Sequence, residues 1–202
     1  TIILNDFSAT NYRALSKRIR GAEILHGDAN AVVKSTVDKL LSSKFDKYHF
    51  AFLDPFSPKD LKFSTIEYLS KLKRIDIMIN FPIGPIRRNY QRWLGKGGTI
   101  LDDFLGTGDW RDIVRNSSKA VFCNALVDIY YRQLKEIGFP EDGLGVIDER
   151  GNNYLGRSIA TIKNSKNVVL YYLILASKHK LAARIWRSIV KTKPNGQCIL
   201  TY

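Results

Sequence analysis

The stretch Tyr48–Ser57, YHFAFLDPFS, sets a short apolar run, Phe50-Ala51-Phe52-Leu53, directly against an acid, a proline and an aromatic. A run of that length bounded by turn formers is too short for a typical helix and predicts a buried strand. Asp54, Pro55 and Phe56 then fall at the carboxyl end of that strand, where open α/β sheets place their ligands. A carboxylate in such a place is costly unless it is solvated, hydrogen-bonded or used. Asp54 is therefore either the cap of the next turn or part of a site.

The same rhythm recurs on both sides of this segment. Thr1 to Leu4 reads as a strand ending at Asn5-Asp6, followed by a helix capped by Ser8 or Thr10 with Tyr12, Leu15 and Ile19 on one face. Ala22 to Leu25 reads as a second strand ending at Gly27-Asp28, and its helix carries Val33, Val37, Leu40 and Leu41 at helical spacing. After the Phe50–Leu53 strand comes a helix with Phe63, Ile66, Leu69 and Leu72, then a fourth strand, Ile75 to Ile79, ending at Asn80-Phe81-Pro82. Strand, acid and helix in repetition predict an α/β fold, a mostly parallel sheet with helices on both faces and right-handed crossovers.

Beyond Pro82 the pattern changes. Arg87 to Leu94 reads as a short helix, Gly95-Lys96-Gly97-Gly98 as a loop, and about Asp109 to Ile137 as mostly helical, with Val121, Ala125, Ile129 and Tyr130 turned inward. Gly138-Phe139-Pro140 ends that region. Arg157–Ile162 and Val168–Ala176 flank Lys163-Asn164-Ser165-Lys166-Asn167, which predicts a hairpin; a basic helix over Lys180–Lys191 and a last strand, Gln197–Tyr202, follow. The expectation is one domain over residues 1–202, with a helical insertion over roughly 95–140.

Bulk properties bound the function. The chain has 202 residues, 45% of them hydrophobic, enough for one substantial core. Lysine and arginine number 32 against 19 acids, a net charge of +13, which favours a polyanionic partner, nucleic acid first. Cys123 and Cys198 have no metal-ligand spacing, so neither a disulfide framework nor a zinc site is expected, and the reading is of a cytoplasmic protein. The longest apolar run, Val168–Ala176, is too short to span a bilayer, so no membrane partner is expected.

Three acids, Asp6, Asp28 and Asp54, sit just past three successive strands. In a nucleotide crevice, one acid can accept from ribose hydroxyls and another from an adenine amino group. Each acid taken alone also suits an ordinary helix cap. Asn80 would lie beside Asp54 if their strands are neighbours. The loop after it presents Arg87 and Arg88, which suit phosphates or simply a solvated helix start. Ser177-Lys178-His179 opens a basic helix, an anion site in which His179 could act as a base, though a histidine beside lysines more often binds phosphate or water. His26 and His49 are not spaced as ligands, and Trp93, Trp110 and Trp186 sit at core spacing.

The order of IILNDF (2–7), ILHGDAN (24–30) and FAFLDPF (50–56) resembles the second, third and fourth strands of a class I S-adenosylmethionine-dependent methyltransferase. LNDF, FLDPF, IDIMINFPIGPIRR (75–88), GTGDWR (106–111) and YYLILASKHKLAARIW (171–186) together resemble the three-Cys-motif partner (TcmP) family. The resemblance implies a Rossmann-like methyltransferase sheet with an antiparallel C-terminal strand. It implies S-adenosylmethionine as cofactor, with Asp6 at its ribose and Asp28 and Ala29 at its adenine. It also implies association with a radical-SAM-like protein bearing three cysteines. Asp54, Pro55 and Phe56 would take the place of the Asp-Pro-Pro-Tyr tetrad of amino-methylating enzymes, although Phe56 stands where the second proline would be and Ser57 where the aromatic would be. The first strand and its glycine-rich turn do not occur in the sequence given, and Gly95–Gly98, which follows the fourth strand, does not replace them. The expectation is that they lie upstream of Thr1. Two functions follow: a methyltransferase-like protein acting on or binding nucleic acid, or an inactive basic module of the same fold. A nuclease is disfavoured, since no second acid cluster accompanies Asp54.

Overall fold

A computed structural model describes residues 1–44, 47–116, 119–140, 143–145, 159–191 and 197–199. β1 (Ile2–Asp6) and β2 (Ala22–His26) pair in parallel, Ile2 opposite Ala22 and Asp6 opposite His26. Between them runs α1 (Ala9–Arg18), whose Ser8 cap accepts the Asn11 amide. α2 (Ala29–Leu41) follows with Asp28 as its cap. Of the expected face of α1, Tyr12 and Leu15 are half-buried and Tyr12 stacks on His26 at 5.1 Å, whereas Ile19 is the C-cap; no residue of this helix is fully buried.

β3 (His49–Leu53) leads through a 3-10 turn (Pro58–Asp60) to α3 (Phe63–Leu69) and β4 (Ile75–Phe81). Then come α4 (Ile83–Leu94), α5 (Ile100–Leu105), α6 (Trp110–Asn116) and α7 (Lys119–Glu136). β5 (Leu144–Gly145), β6 (Ile159–Lys163), β7 (Val169–Ser177), α8 (Lys180–Lys191) and β8 (Gln197–Ile199) complete the order. Residues 157–158 and 200–202 of the expected last strands lie outside the described residues.

Two sheets result: β1-β2, and β3-β4-β7-β6-β8 with β5 also on β7. The fold is α/β as expected, and the larger sheet is mixed: five of its six described strands run in one direction and one is reversed. β3 and β4 are parallel, as are β6 and β8, whereas β7 runs antiparallel to β4, β5 and β6. The antiparallel strand is thus β7, not the last one. Among the described residues no strand pairs with the second edge of β1 or of β3.

The core follows from strand periodicity. Alternate residues of β4, Ile75, Ile77, Ile79 and Phe81, face one side and pack with Val37 of α2, Phe63 and Ile66 of α3, Ile83 and Ile86 of α4 and Phe104 of α5. Each such side chain contributes about 1.5–3 kcal/mol on burial. Tyr130 of α7 stacks on Phe104 at 5.3 Å and takes Phe63 and Phe81 edge-on at 5.4 and 5.2 Å. Leu101, Phe104, Leu105, Leu126 and Tyr130 have no exposed surface, so the expected insertion over 95–140 is part of the core. On the opposite face, Met78, Leu173, Leu175 and Ala160 pack with Ala182 and Trp186 of α8.

Two close approaches hold this body. Gly106, the left-handed C-cap of α5 at φ 76°, would bring a Cβ within 2.8 Å of the Phe63 ring. Asp102 forms a capping box with Thr99, accepts Trp110 Nε1 at 2.7 Å, and is gripped by both terminal nitrogens of Arg111 at 2.6 and 2.8 Å. Arg111 also donates to the Lys96 carbonyl, fastening the glycine-rich loop. Burial alone would raise the Asp102 pKa, but the Arg111, Thr99 and Trp110 donors outweigh it and hold the carboxyl at about 2.

Candidate functional site

β3 and β4 are in register, with Leu53 opposite Ile79, so the residues that follow share one rim. Asn80 Nδ2 donates to Asp54 Oδ1 at 2.5 Å. Asn80 is 7% exposed, and its Oδ1 is buried without a partner among the described residues. Asp54 itself is exposed, Pro55 is buried, and the Phe56 ring projects outward, 90% exposed. The strand ends thus hold an exposed carboxylate against a desolvated amide, with an exposed aromatic two residues further along the chain. A buried acceptor left unmatched costs about 1–3 kcal/mol, a cost that a ligand N–H or O–H donor would relieve.

The neighbouring acids have local duties. Asp6 accepts the Ser8 amide at 2.7 Å and Asn11 Nδ2 at 3.1 Å. Asp28 Oδ1 accepts the amide and Nδ2 of Asn30 at 2.9 and 2.8 Å. Both are helix-start contacts, the ordinary cap use of an acid. A carboxylate offers about four lone-pair sites, so neither is exhausted. Phe7, one residue past Asp6, is 78% exposed.

Asn30, which sequence reasoning passed over, ties the two sheets at this rim. Its Nδ2 donates to the Asp60 carbonyl at 3.3 Å, and its Oδ1 accepts the Lys62 amide at 2.8 Å and Thr65 Oγ1 at 2.7 Å. Tyr68 adds a hydrogen bond to Asp38 of α2 at 3.1 Å. The carboxyl ends of β2 and β3 therefore lie on one side of the molecule, with Asp28 and Ala29 just before Asn30.

Lys178 and His179 do not join them. β7 is antiparallel to β4, and Ser177 lies opposite Asp76 while Leu173 lies opposite Asn80. The Lys178 amide bonds to the Ile75 carbonyl, so these residues sit at the other end of β4, about 15 Å away at strand rise. Lys178 Nζ donates to the Ile137 and Gly138 carbonyls at 3.4 and 3.0 Å over the Phe139 ring, closing the end of α7. Burial lowers its pKa. His179 Nδ1 accepts the Leu181 amide at 3.1 Å, a cap for α8.

Arg87 and Arg88 are both exposed but diverge. Gly84 lets α4 lie against β7: a Cβ there would come within 2.9 Å of the Leu170 carbonyl and 3.6 Å of an Arg88 guanidinium nitrogen. Arg87 instead turns toward α7, beside Phe122. The sequence leaves Arg87 and Arg88 open between a phosphate site and a solvated helix start, and the structure leaves both side chains exposed.

Among the described residues no helix is long and apolar enough to cross a membrane, and no three His, Cys, Asp or Glu side chains group as metal ligands. Comparison with protein-family models, with curated proteins and with solved structures gave no match.

Proposed function

We propose that the rim around Asp54 and Asn80 is the ligand site of a methyltransferase-like protein that acts on or binds nucleic acid. The observation that carries this reading is the unmatched Asn80 Oδ1 beside the Asp54 carboxylate. Together they suit an exocyclic amine, whose hydrogens both oxygens would accept while Phe56 stacks on the base. The net charge of +13 supports a polyanionic partner. S-adenosylmethionine, bound at the β1–β2 rim, would supply an electrophilic methyl group. The spare lone pairs of Asp6 would hold its ribose, and Asp28 and Ala29 its adenine. That part of the reading also calls for a glycine-rich turn between β1 and β3, each of which pairs with one strand among the described residues.

A second reading is an inactive basic module that binds nucleic acid or, as the resemblance alone implies, a radical-SAM-like protein bearing three cysteines. The engagement of Asp6 and Asp28 by their own helix starts favours it. Calorimetric titration of the natural polypeptide with S-adenosylmethionine separates the two. The first reading expects binding that weakens roughly tenfold in Asp28→Ala, about 1.4 kcal/mol. Absence of heat, with salt-dependent oligonucleotide binding unchanged in Asp54→Ala, leaves only the second.

A further inference from the structure

α4 presents one apolar stripe to the core and, one residue round, a mixed flank. Ile83 and Ile86 are buried and Tyr90 packs partly against the core, while Arg87 and Gln91, four apart, line the outer side. Phe122 of α7 closes the space between the helices, leaving a cavity of about 230 Å³ lined by Arg87, Tyr90, Gln91 and Phe122. The Tyr90 and Phe122 rings lie 4.6 Å apart at 41°. Phe122 is only 4% exposed, so Tyr90 supplies the accessible aromatic surface. Arg87 has no ion pair among the described residues, and α4 contains no acid to neutralise it. Behind this wall lies Cys123, whose pKa burial raises against the opposing charge of Arg87.

The chemistry is that of a small planar anion: an aromatic wall, a cation free to take phosphate, and an amide able to donate and accept at a ring edge. The volume is below the range of about 300–1,000 Å³ that houses drug-sized ligands, so a single ring system fits and a whole dinucleotide cofactor does not. Arg88 and Arg92 stand exposed on the same helix, extending positive charge away from the cavity along a path that a sugar–phosphate chain could follow.

We propose that the α4–α7 cavity receives one unstacked base of a single-stranded nucleic acid, the ring against Tyr90, its edge on Gln91 and the adjoining phosphate on Arg87. This rests on the nucleic-acid part of the proposed function and is independent of the cofactor. It assigns to the partner an accessible single strand, since a base inside a duplex cannot enter a cavity between two helices.

The test is fluorescence anisotropy with a labelled single-stranded oligonucleotide and its duplex, using the wild-type protein, Tyr90→Leu, Tyr90→Phe and Arg87→Ala. Circular dichroism melts check that each variant is folded. Tyr90→Leu is expected to weaken single-strand binding roughly tenfold and leave duplex binding unchanged, and Tyr90→Phe to retain binding. Arg87→Ala should weaken binding and reduce the slope of log affinity against log salt by about 0.7, one phosphate contact on a single strand. Single-strand binding that is equal in wild type and Tyr90→Leu overturns the cavity proposal alone. Failure of the wild type to bind any oligonucleotide overturns it together with the nucleic-acid reading. Saturable binding of benzoate abolished by Arg87→Ala, with oligonucleotide binding indifferent to Tyr90, makes the cavity a small-acid site and equally overturns it.

Discussion

The β1–β2 unit and the β3–β4 unit are written in the same sequence rhythm yet pack very differently. In β4, Ile75, Ile77, Ile79 and Phe81 are at most 1% exposed, whereas neither β1 nor β2 has a fully buried residue and Ile2 is 59% exposed. The cause is neighbours rather than composition. β4 is paired on both edges and covered on both faces, while β1 has a single partner strand among the described residues. An apolar strand yields its full burial energy only when four sides are occupied. The consequence for the rim is an asymmetry: Asp54 and Asn80 stand on the densely packed body, and Asp6 and Asp28 on the sparsely packed one.

The largest expected contrast is between Phe81→Ala and Leu4→Ala. The first empties a filled core position and should cost about 3–5 kcal/mol. The second removes a half-buried side chain and should cost about 1 kcal/mol. Urea denaturation of both variants checks this, and equal losses would break the comparison. Acid separates the regions next. The folded Asp102 carboxyl titrates at about 2 against an ordinary 3.8, so the folded state binds fewer protons between those values. Its contribution, about 2 kcal/mol, is fully present above about pH 4 and is lost as the pH falls through about 2. Asp102→Asn should flatten that loss in the main body and leave β1–β2 exchange rates unchanged. The smallest effect is at the tie: Asn30→Ala strands the Lys62 amide and the Thr65 hydroxyl, a cost of about 1–2 kcal/mol. Hydrogen exchange should then quicken in β1 and β2 and not in β4. An ion pair between β2 and α2, Glu23 with Lys39 at 2.9 Å, is too exposed to compensate.

Strand positions were legible because short apolar runs stop at Asp6, at Gly27-Asp28, at Asp54-Pro55 and at Pro82. Adjacency of Asp54 and Asn80 was legible too, given parallel neighbours. Strand direction was legible for β1–β2 and β3–β4 and, through the Lys163–Asn167 hairpin, for β6–β7. Nothing in YYLILAS fixes its direction against β4, and the antiparallel pairing there puts Lys178 and His179 at the other end of β4. The start of α4 was placed four residues late, because Pro82, Gly84 and Pro85 read as a stiff turn. The structure instead uses Pro82 as the cap and Pro85 in the first turn, where a missing N–H does no harm. α5 passed unnoticed although Thr99 and Asp102 carry the spacing of a capping box. The two rings of the α4–α7 cavity lie 32 residues apart in sequence, a proximity that only helix packing creates.

The outer margin of β3 has a further consequence. Among the described residues no strand pairs with the outer edge of Phe50–Leu53, where Phe50 and Phe52 stand 62% and 55% exposed and no lysine or proline interrupts the strand. Such a margin is a template for stacking identical segments. Concentrated preparations of residues 1–202 should accordingly assemble through this strand, and a lysine in place of Phe52 should keep them dispersed.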